Sequence, residues 1–338
     1  MSDSPGHGRR LTIRDVAAVA GVSHATVSRV LNGHHWVSPE AREAVERAIT
    51  KTGYTANYAA RSLATGKADS IAFLLTEPQH LLFSDPTFSL VLRGAMEYLA
   101  RRQMTLVLMI ADSPAERANV ERFVRAGHVD GVMLVSTHES NPLPAALVAA
   151  GVPTVCLGAA LSLRDLVPTV SVDEEESARA MTRYLVGKGY ERIAIITGPD
   201  DTPGGRFRLR GFRDEMGERF DPRLAEQCEY SPEAGEAAMA RLLARGRTVD
   251  AVFAASDVIA FGAIAAIRKA GLRVPEDIAV AGFDDSGSAE THDPPLTTVR
   301  QPWDELSRTM VDLVLAAVRG EKPSSVVLPT TLVVRQSA

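Results

Sequence analysis

The chain has 338 residues, more than one ordinary hydrophobic core accommodates, and this length predicts two or three domains. Apolar residues make up 45% of the sequence and charged residues 23%, which is typical of globular proteins in water. No apolar run approaches the roughly 20 residues that span a bilayer, so we expect no membrane partner. The first residues contain arginines but no apolar segment after them, so we expect no secretory signal and a cytoplasmic location.

The net charge of −5 is unevenly distributed along the chain. Residues 1–67 hold nine Lys or Arg and five Asp or Glu, a net charge of +4, which leaves −9 on the remainder. A small cationic segment attached to an acidic body favours nucleic-acid binding by that segment alone. The excess of positive charge is modest, so it supports this interpretation without establishing it.

Two short helices are predicted in the stretch TIRDVAAVAGVSHATVSRVLN, with a break at Gly-Val-Ser. Thr12 can cap the first helix together with Asp15, and Ser23 can cap the second. The second helix then turns its valines inward and presents His24, Ala25, Ser28 and Arg29 outward. A helix of this size fits the major groove of B-DNA, where Arg can contact guanine. The alternative is an ordinary helical hairpin in a larger core.

A third helix is predicted from Ser38-Pro39-Glu40 to about Thr52, because Ser caps, Pro fits the first turn and Gly53 stops it. A further short helix is predicted over Asn57–Ala64. Isolated helices below about 12 residues are marginal in water, so this one should fold only when something holds it. A plain linker is the alternative for this segment.

From Ser70 onward, apolar strands alternate with amphipathic helices. Continuous apolar strands with intervening helices indicate parallel sheets covered on both faces. The acidic segment Asp173–Glu176 interrupts the pattern halfway, which favours an α/β fold of two doubly wound lobes. In such sheets ligands bind at the carboxyl ends of the strands, here in the cleft between the lobes. Predicted strands are Ser70–Leu75, Thr105–Ala111, Gly131–Ser136, Pro153–Gly158, Arg192–Gly198, Ala251–Ser256, Ile278–Asp284 and Ser325–Arg335.

The order of several motifs resembles one known family, the lactose-repressor type (LacI/GalR) transcriptional regulators. The N-terminal helices, VSPEAREAVERAITKTGY and NYAARSLATG resemble its DNA-binding and hinge segments. AASDVIAFGAIAAI, GLRVPEDIAVAGFDD and PPLTTVRQP resemble its regulatory domain, so the resemblance covers the chain from Leu11 onward. It implies a leader (1–11), a helix-turn-helix domain (12–55), a hinge (56–68) and a ligand-binding body (69–338). We expect lobe 1 to comprise about 69–168 and 300–323, and lobe 2 about 169–299 and 324–338.

The resemblance implies that the second helix is the recognition helix, with His24, Ala25 and Arg29 at base-reading positions. Leu63 of the hinge helix would enter the minor groove and kink the duplex. Paired hinges imply a homodimer on a roughly palindromic operator. Ala56 departs from the family, which usually has proline there, so hinge coupling could be softer. The remaining residues expected to contact or support contact with DNA are Thr12, Ser23, Thr26, Ser28, Asn32, Tyr54, Asn57 and Ala60.

In the body the resemblance extends to periplasmic sugar-binding proteins. It implies that Arg208, Tyr230 and Asp284 contact a small sugar-like effector, since an arginine, an aromatic face and a carboxylate suit a polyhydroxylated ring. Ser256, Gln301 and Trp303 should also line the cleft, and Phe83, Asp85 and Phe88 should close over the ligand from the first lobe. The alternatives are a turn for Asp284 and a surface helix start for Arg208.

Motifs of other function classes are absent from the sequence: there is no GxGxxG after a strand, no GxxxxGK[ST] and no GxSxG. The histidines show no metal-ligand spacing, and Cys156 and Cys228 favour free thiols over a disulfide or metal site. We therefore expect no enzyme activity and no cofactor. A secreted solute-binding protein is a second alternative, which the helix-turn-helix disfavours. The sequence predicts a transcriptional regulator, with repression as its expected action.

Overall fold

The structure is a computed structural model that describes residues 11–31, 36–54, 66–161, 163, 166–246 and 249–338. The chain divides into two compact units, Met1–Ala68 and Asp69–Ala338. We call them the headpiece and the body. Within the described ranges, no helix is long and apolar enough to cross a bilayer.

The headpiece is a bundle of three helices around a small apolar core. The helices are α1 (Ile13–Ala20), α2 (His24–Leu31) and α3 (Pro39–Thr52). Their inward faces supply the core residues Val16, Ala17, Val27, Val30, Val45 and Ala48. The helical periodicity of the sequence predicts that each of these residues is buried, so the local pattern determines which face of each helix points inward.

Local hydrogen bonds fix where the first two helices begin and end. The Asp15 carboxylate accepts a hydrogen bond from the Thr12 backbone N–H at 2.7 Å, as the sequence predicts. Gly21 ends α1 in the left-handed conformation, at φ +67°, which glycine adopts without steric cost. The Ser23 hydroxyl accepts a hydrogen bond from the Thr26 N–H at 3.1 Å and so caps α2.

The first lobe of the body contains a six-stranded parallel sheet with strand order β11-β5-β4-β3-β1-β2. Its strands are β1 (Ser70–Leu75), β2 (Thr105–Ile110), β3 (Gly131–Val135), β4 (Thr154–Leu157), β5 (Thr169–Val172) and β11 (Val326–Leu328). Its helices are α4 (Leu81–Ser84), α5 (Pro86–Ala100), α6 (Pro114–Arg125), α7 (Leu143–Ala149) and α13 (Trp303–Val318). The fully buried β1 reads as a continuous apolar run, as expected for a strand covered on both faces.

The second lobe contains a four-stranded parallel sheet with strand order β7-β6-β8-β9. Its strands are β6 (Ile193–Thr197), β7 (Ala225–Gln227), β8 (Ala251–Ala254) and β9 (Ala279–Ala281). Beside them, β10 (Thr298–Arg300) pairs antiparallel with β12 (Thr331–Val333). The helices are α8 (Glu174–Gly187), α9 (Pro203–Met216), α10 (Pro232–Ala244), α11 (Asp257–Lys269) and α12 (Ser288–Thr291), with single 3-10 turns at Gly217–Arg219 and Pro222–Leu224.

The predicted lobe boundaries differ from the strand pairing at two places. Residues 169–172 form β5 of the first sheet, although we expected the second lobe to begin at 169. The strand escaped prediction because it is only four residues long and half of them are Thr or Ser. The predicted strand Ser325–Arg335 is two strands in different sheets, because Pro329 separates β11 from β12. Because of both differences, the chain passes between the lobes a few residues away from the predicted positions. The two-lobed α/β fold itself is as predicted.

Glycines allow close contact between two helices of the second lobe. A Cβ atom at Gly262 on α11 would lie 2.0 Å from the backbone oxygen of Pro232. A Cβ atom at Gly235 on α10 would lie 2.5 Å from the backbone oxygen of Ile259. Because backbone atoms cannot move aside as a flexible side chain can, this helix pair requires glycine at both positions.

Gly262→Ala should therefore lower the free energy of unfolding by about 1–3 kcal/mol, the usual cost of overpacking a well-packed core. Gly187→Ala is the matched control, since it lies in α8 and its added methyl group would have no other heavy atom within 4 Å. Its free energy of unfolding should stay level or rise by up to about 1 kcal/mol, because alanine favours helix. Urea unfolding followed by tryptophan fluorescence measures both. Equal stability of the two variants would contradict the close packing.

Candidate functional site

The outward face of α2 carries the residues that we expected to read DNA. Ser23, His24, Ala25 and Arg29 are exposed, while Thr26 and Ser28 are half-buried. The inward valines anchor the helix in the headpiece core. A short rigid helix thus presents one arginine and one histidine on an open surface, which is the arrangement that a major-groove reader requires.

The other residues that we expected to contact DNA differ in their location. Thr12 is exposed at the start of α1. Tyr54 is only 9% exposed and belongs to the apolar cluster of the headpiece, so the structure places its ring in the core instead of on an open face. No feature of the sequence around Tyr54 distinguishes a tyrosine buried in the core from one that contacts DNA. Asn32, Asn57, Ala60 and Leu63, and with them the predicted hinge helix, lie outside the described residues.

A cavity of about 150 Å³, open to solvent at its mouth, lies between the two lobes of the body. It collects the carboxyl ends of strands from both sheets, where ligands bind in this class of fold. Eight of the nine residues predicted to contact an effector line it: Asp85, Phe88, Arg208, Tyr230, Ser256, Asp284, Gln301 and Trp303. The structure therefore brings together residues that are separated by more than 200 positions in sequence.

Phe83 is the exception among the predicted effector contacts. It lies on the short helix α4 and is 80% exposed. The neighbouring Leu81 and Leu82 are the residues that α4 buries, so the third position in a row faces away from the core. The structure places Phe83 on the surface and not among the lining residues of the cavity.

Arg208 is the most deeply buried cation of the cavity, at 5% exposure. Its Nε donates to the Glu174 carboxylate at 2.5 Å, its Nη1 donates to the Ala255 carbonyl oxygen and lies 3.7 Å from the Asp284 carboxylate. The guanidinium also stacks on Phe283, 3.6 Å from the ring centre. Burial alone would lower the pKa of Arg208, but the Glu174 and Asp284 carboxylates outweigh it and raise the pKa, so the group stays charged.

Asp284 follows β9, and two residues of the segment that crosses between the lobes donate hydrogen bonds to it. Its side chain accepts a hydrogen bond from Gln301 Nε2 at 2.8 Å, and its backbone oxygen accepts one from Trp303 Nε1 at 3.0 Å. Burial raises the pKa of the Asp284 carboxyl well above its usual range, and Arg208 opposes this rise. Asp284 is thus an acceptor whose charge depends on its neighbours, and a bound hydroxyl group would give it a further hydrogen bond.

The hydroxyl end of Tyr230 packs against two glycines of the cavity wall. A Cβ atom at Gly198 would lie 2.1 Å from the ring, and one at Gly204 would lie 2.8 Å from the hydroxyl oxygen. Burial raises the pKa of Tyr230 to about 12, so its hydroxyl remains protonated at neutral pH. The ring gives the cavity an aromatic face, and the nearby Thr202 hydroxyl lies 3.5 Å from the phenol oxygen.

The first lobe contributes a third carboxyl group, that of Asp85, to the lining of the cavity. Asp85 caps α5, with its Oδ1 accepting from the Thr87 N–H at 2.9 Å and from the Thr87 hydroxyl at 2.7 Å. Burial raises the pKa of the Asp85 carboxyl, while the Thr87 hydrogen bonds and Arg208 lower it. Phe88 and Val91 follow on the same helix and supply apolar lining. The wall therefore pairs a hydrogen-bond acceptor with an apolar surface, as ligand cavities for amphipathic rings do.

Ser256 lines the cavity but also has a structural role. Its hydroxyl accepts a hydrogen bond from the Ile259 N–H at 3.3 Å and caps α11. Behind it, Asp257 accepts from the Thr298 hydroxyl at 2.6 Å and from the Ser286 N–H at 3.2 Å. Burial raises the pKa of Asp257 to about 7. These bonds hold together the ends of β8, β9 and β10, from which the cavity residues project.

Sequence reasoning missed Glu174, Thr202 and the polar residues that the first lobe presents, Ser136, Thr137 and Ser171. Glu174 was visible only as part of an acidic segment, because its partner Arg208 lies 34 positions away. No local pattern records that pairing. In the part of the chain that the structure describes, no group of His, Cys, Asp and Glu could hold a metal ion, and both cysteines are free.

Comparison with known proteins places this geometry in one family. Residues 12–57 match the profile of bacterial regulatory proteins of the lacI family, and residues 182–338 match a periplasmic binding protein-like domain. The chain is 42% identical to the HTH-type transcriptional regulator CelR of Thermobifida fusca, over 97% of this chain and 98% of the relative. It is 31% identical to the HTH-type transcriptional repressor PurR of Escherichia coli O139:H28, over 96% of each chain.

Solved structures agree with these relatives. The complex of the transcriptional regulator CelR with cellobiose is similar with a TM-score of 0.76 and 39% identity, covering 97% of this chain and all of that one. The Lac repressor dimer bound to operator and the anti-inducer ONPF is similar with a TM-score of 0.85 and 29% identity, covering 97% and 99%. The chain belongs to the LacI family of bacterial regulatory proteins: it is a DNA-binding transcriptional regulator with a periplasmic-binding-protein-like body.

Proposed function

We propose that this protein is a homodimeric transcriptional repressor whose affinity for its operator is controlled by a neutral disaccharide of the cellobiose type, bound in the cavity of the body. The single observation that carries the proposal is the cavity itself, in which Arg208, Asp284 and Asp85 surround an aromatic and apolar lining. The relative with 39% identity that binds cellobiose supports this choice of ligand. The protein then acts by binding and not by catalysis, in the compartment that holds the DNA.

The charge of the cavity favours a neutral ligand over an anionic one. Arg208 is already neutralised by Glu174 and Asp284, and Asp85 adds a further carboxyl group. A phosphorylated or acidic sugar would bring negative charge toward these carboxylates at a cost that a neutral polyol avoids. Hydroxyl groups can donate to the carboxylates, and the less polar faces of a sugar ring can lie against Tyr230 and Trp303.

The cavity is lined from both lobes: Asp85 and Phe88 belong to the first lobe, and Arg208 and Tyr230 belong to the second. A disaccharide is long enough to touch both lobes at once, so it would favour the closed arrangement over the open one. A ligand shifts such an equilibrium only by the difference between its affinities for the two states.

Control of DNA binding would pass through residues 56–68, the predicted hinge. A changed angle between lobes in each subunit would move the two hinges together or apart and so form or melt the hinge helices. Dimerisation is supported by the edge strand β2, on which Leu108 is 41% exposed, and by the adjoining helix α5, on which Met96 is 53% exposed. A second copy of the chain would cover this apolar surface.

Arg29→Ala should weaken binding to the preferred operator by roughly 5- to 150-fold, or about 1–3 kcal/mol, and relax the preference at one base position. Selection from a randomised DNA library, followed by anisotropy titration, measures both effects. Arg47→Ala is the control, because Arg47 is exposed on α3 and pairs with Glu43. If Arg29→Ala keeps the wild-type sequence preference, α2 does not read bases through this side chain.

Asp284→Asn should weaken cellobiose binding by about tenfold or more while leaving DNA affinity without ligand unchanged, since a hydrogen bond to a charged group contributes about 1.5–3 kcal/mol. Asparagine keeps the shape of the side chain and has the same Cβ atom as aspartate, so the substitution adds no steric conflict at the positive φ of +118°. Asp293→Asn, at a carboxylate that is 89% exposed in the same lobe, is the control. Calorimetric titration with cellobiose decides the matter, and undiminished affinity in Asp284→Asn refutes the assignment of this residue.

A further inference from the structure

A histidine joins the two lobes beside the mouth of the cavity. His138 Nε2 lies 2.9 Å from Glu77 Oε1, and His138 Nδ1 lies 2.9 Å from Asp201 Oδ1. Glu77 follows β1 and His138 follows β3, so both belong to the first lobe, whereas Asp201 follows β6 in the second lobe. The Ser136 hydroxyl also donates to Glu77 at 2.5 Å. One imidazole ring therefore connects a carboxylate of each lobe.

The contact between His138 and Asp201 lies at a distance from the segments that connect the lobes, so it can affect the angle between them. The chain leaves the first sheet through β5 and β11, which lie together at one edge of that sheet. The strands that carry Glu77 and His138 lie beyond β4, toward the other edge, so the contact is offset from these crossovers. Ser136, Thr137 and Thr202 line the cavity directly beside the contact, whereas His138 itself does not line it.

The ring is suited to carry a positive charge. Both nitrogens face carboxylate oxygens, which only accept hydrogen bonds, so both nitrogens must carry a proton for both bonds to form. Glu77 is the main cause that raises the pKa of His138 to about 9; burial lowers it, and Asp201 adds to the rise. Around this centre, Glu139 pairs with Arg206 at 2.6 Å, and the Arg206 Nε donates to the backbone oxygen of residue 200 at 2.9 Å.

We propose that Glu77, His138 and Asp201 form an interlobe latch, in which the histidinium holds the lobes closed and so strengthens effector binding without contacting the effector. This inference rests on the proposed function for its effector, but the latch itself is a property of the protein without ligand. His138 is a positioning residue that acts through the closure of the lobes. Its role differs from that of Arg208 and Asp284, which line the cavity.

The latch makes closure depend on pH with a definite sign. When the lobes separate, Asp201 moves away but Glu77 stays beside His138, so the pKa of His138 should fall only by the part of its rise that Asp201 supplies. A group whose pKa is raised in the closed state stabilises that state fully below its pKa in the open state. The stabilisation is lost as the pH rises through about 9. Arg206 stays charged over this range because Glu139 raises its pKa further, so this pair should not supply the transition.

The test measures the distance between lobes in the full chain without DNA or ligand. Spin labels at Ala118→Cys on α6 and Ala240→Cys on α10, which are exposed positions in each lobe, report one distance when the labelled chain is mixed with an excess of unlabelled chain, so that a dimer holds at most one labelled subunit. The native thiols should label slowly, since burial raises the pKa of Cys156 and of Cys228 to about 12. His138→Gln removes the charge and one of the two bonds. His128→Gln is the matched control, because His128 is exposed in the first lobe and its ring contacts that of Phe123, with the ring centres 4.6 Å apart.

At pH 7, His138→Gln should shift the distance distribution toward longer distances and lower the affinity for cellobiose by about fivefold or more, while His128→Gln matches the wild type. Raising the pH from 7 to 10 should move the wild type toward the His138→Gln distribution and leave His138→Gln itself unchanged. Asp201→Asn should have the same effect on the distances as His138→Gln.

Wild-type distances in His138→Gln, or a pH shift that persists in that variant, would overturn the latch. So would an unchanged cellobiose affinity in a variant whose lobes have opened. If cellobiose fails to bind the wild type, the proposed effector is wrong, and the distances measured without ligand still decide whether the latch exists.

Discussion

A buried positive charge must be neutralised where it lies, and this constraint organises the body of the protein around Arg208. Its guanidinium contacts the Glu174 carboxylate on α8, the Ala255 carbonyl oxygen just after β8 and the Asp284 carboxylate after β9. Removing one partner of such a pair typically costs about 3–5 kcal/mol, because the other charge stays buried. The same groups that stabilise the second lobe therefore line the cavity, and a ligand enters an array that is already fixed in position.

Strong local patterns allowed much of the fold to be predicted. The capping residue Thr12, the helix-ending Gly53 and the apolar run Ser70–Leu75 are each visible within a few positions, and the structure confirms each element. Short elements were less predictable: β5 has four residues with mixed polarity, and one of its two partner strands, β11, is remote in sequence. Its membership of the first sheet depends on tertiary pairing, which no local period encodes.

The candidate site shows the same division between local and long-range information. Arg208 and Asp284 could be named from the family resemblance, whereas Glu174 could not, because its role depends on a partner brought close only by folding. The contact of His138 with Asp201 depends on folding even more strongly, since it joins residues of two lobes that are 63 positions apart in sequence. Phe83 shows the same limit, because its position after β1 does not determine that its side chain is exposed and does not line the cavity.

The central claim is that a ligand in the cavity of the body controls the affinity of the headpiece for DNA. The most direct measurement is an anisotropy titration of a selected operator duplex with the full chain, with and without saturating cellobiose, at two salt concentrations. We predict that cellobiose changes the dissociation constant by about fivefold or more and that affinity falls with salt, as phosphate contacts require. An unchanged dissociation constant, with cellobiose shown by calorimetry to be bound, would contradict the account.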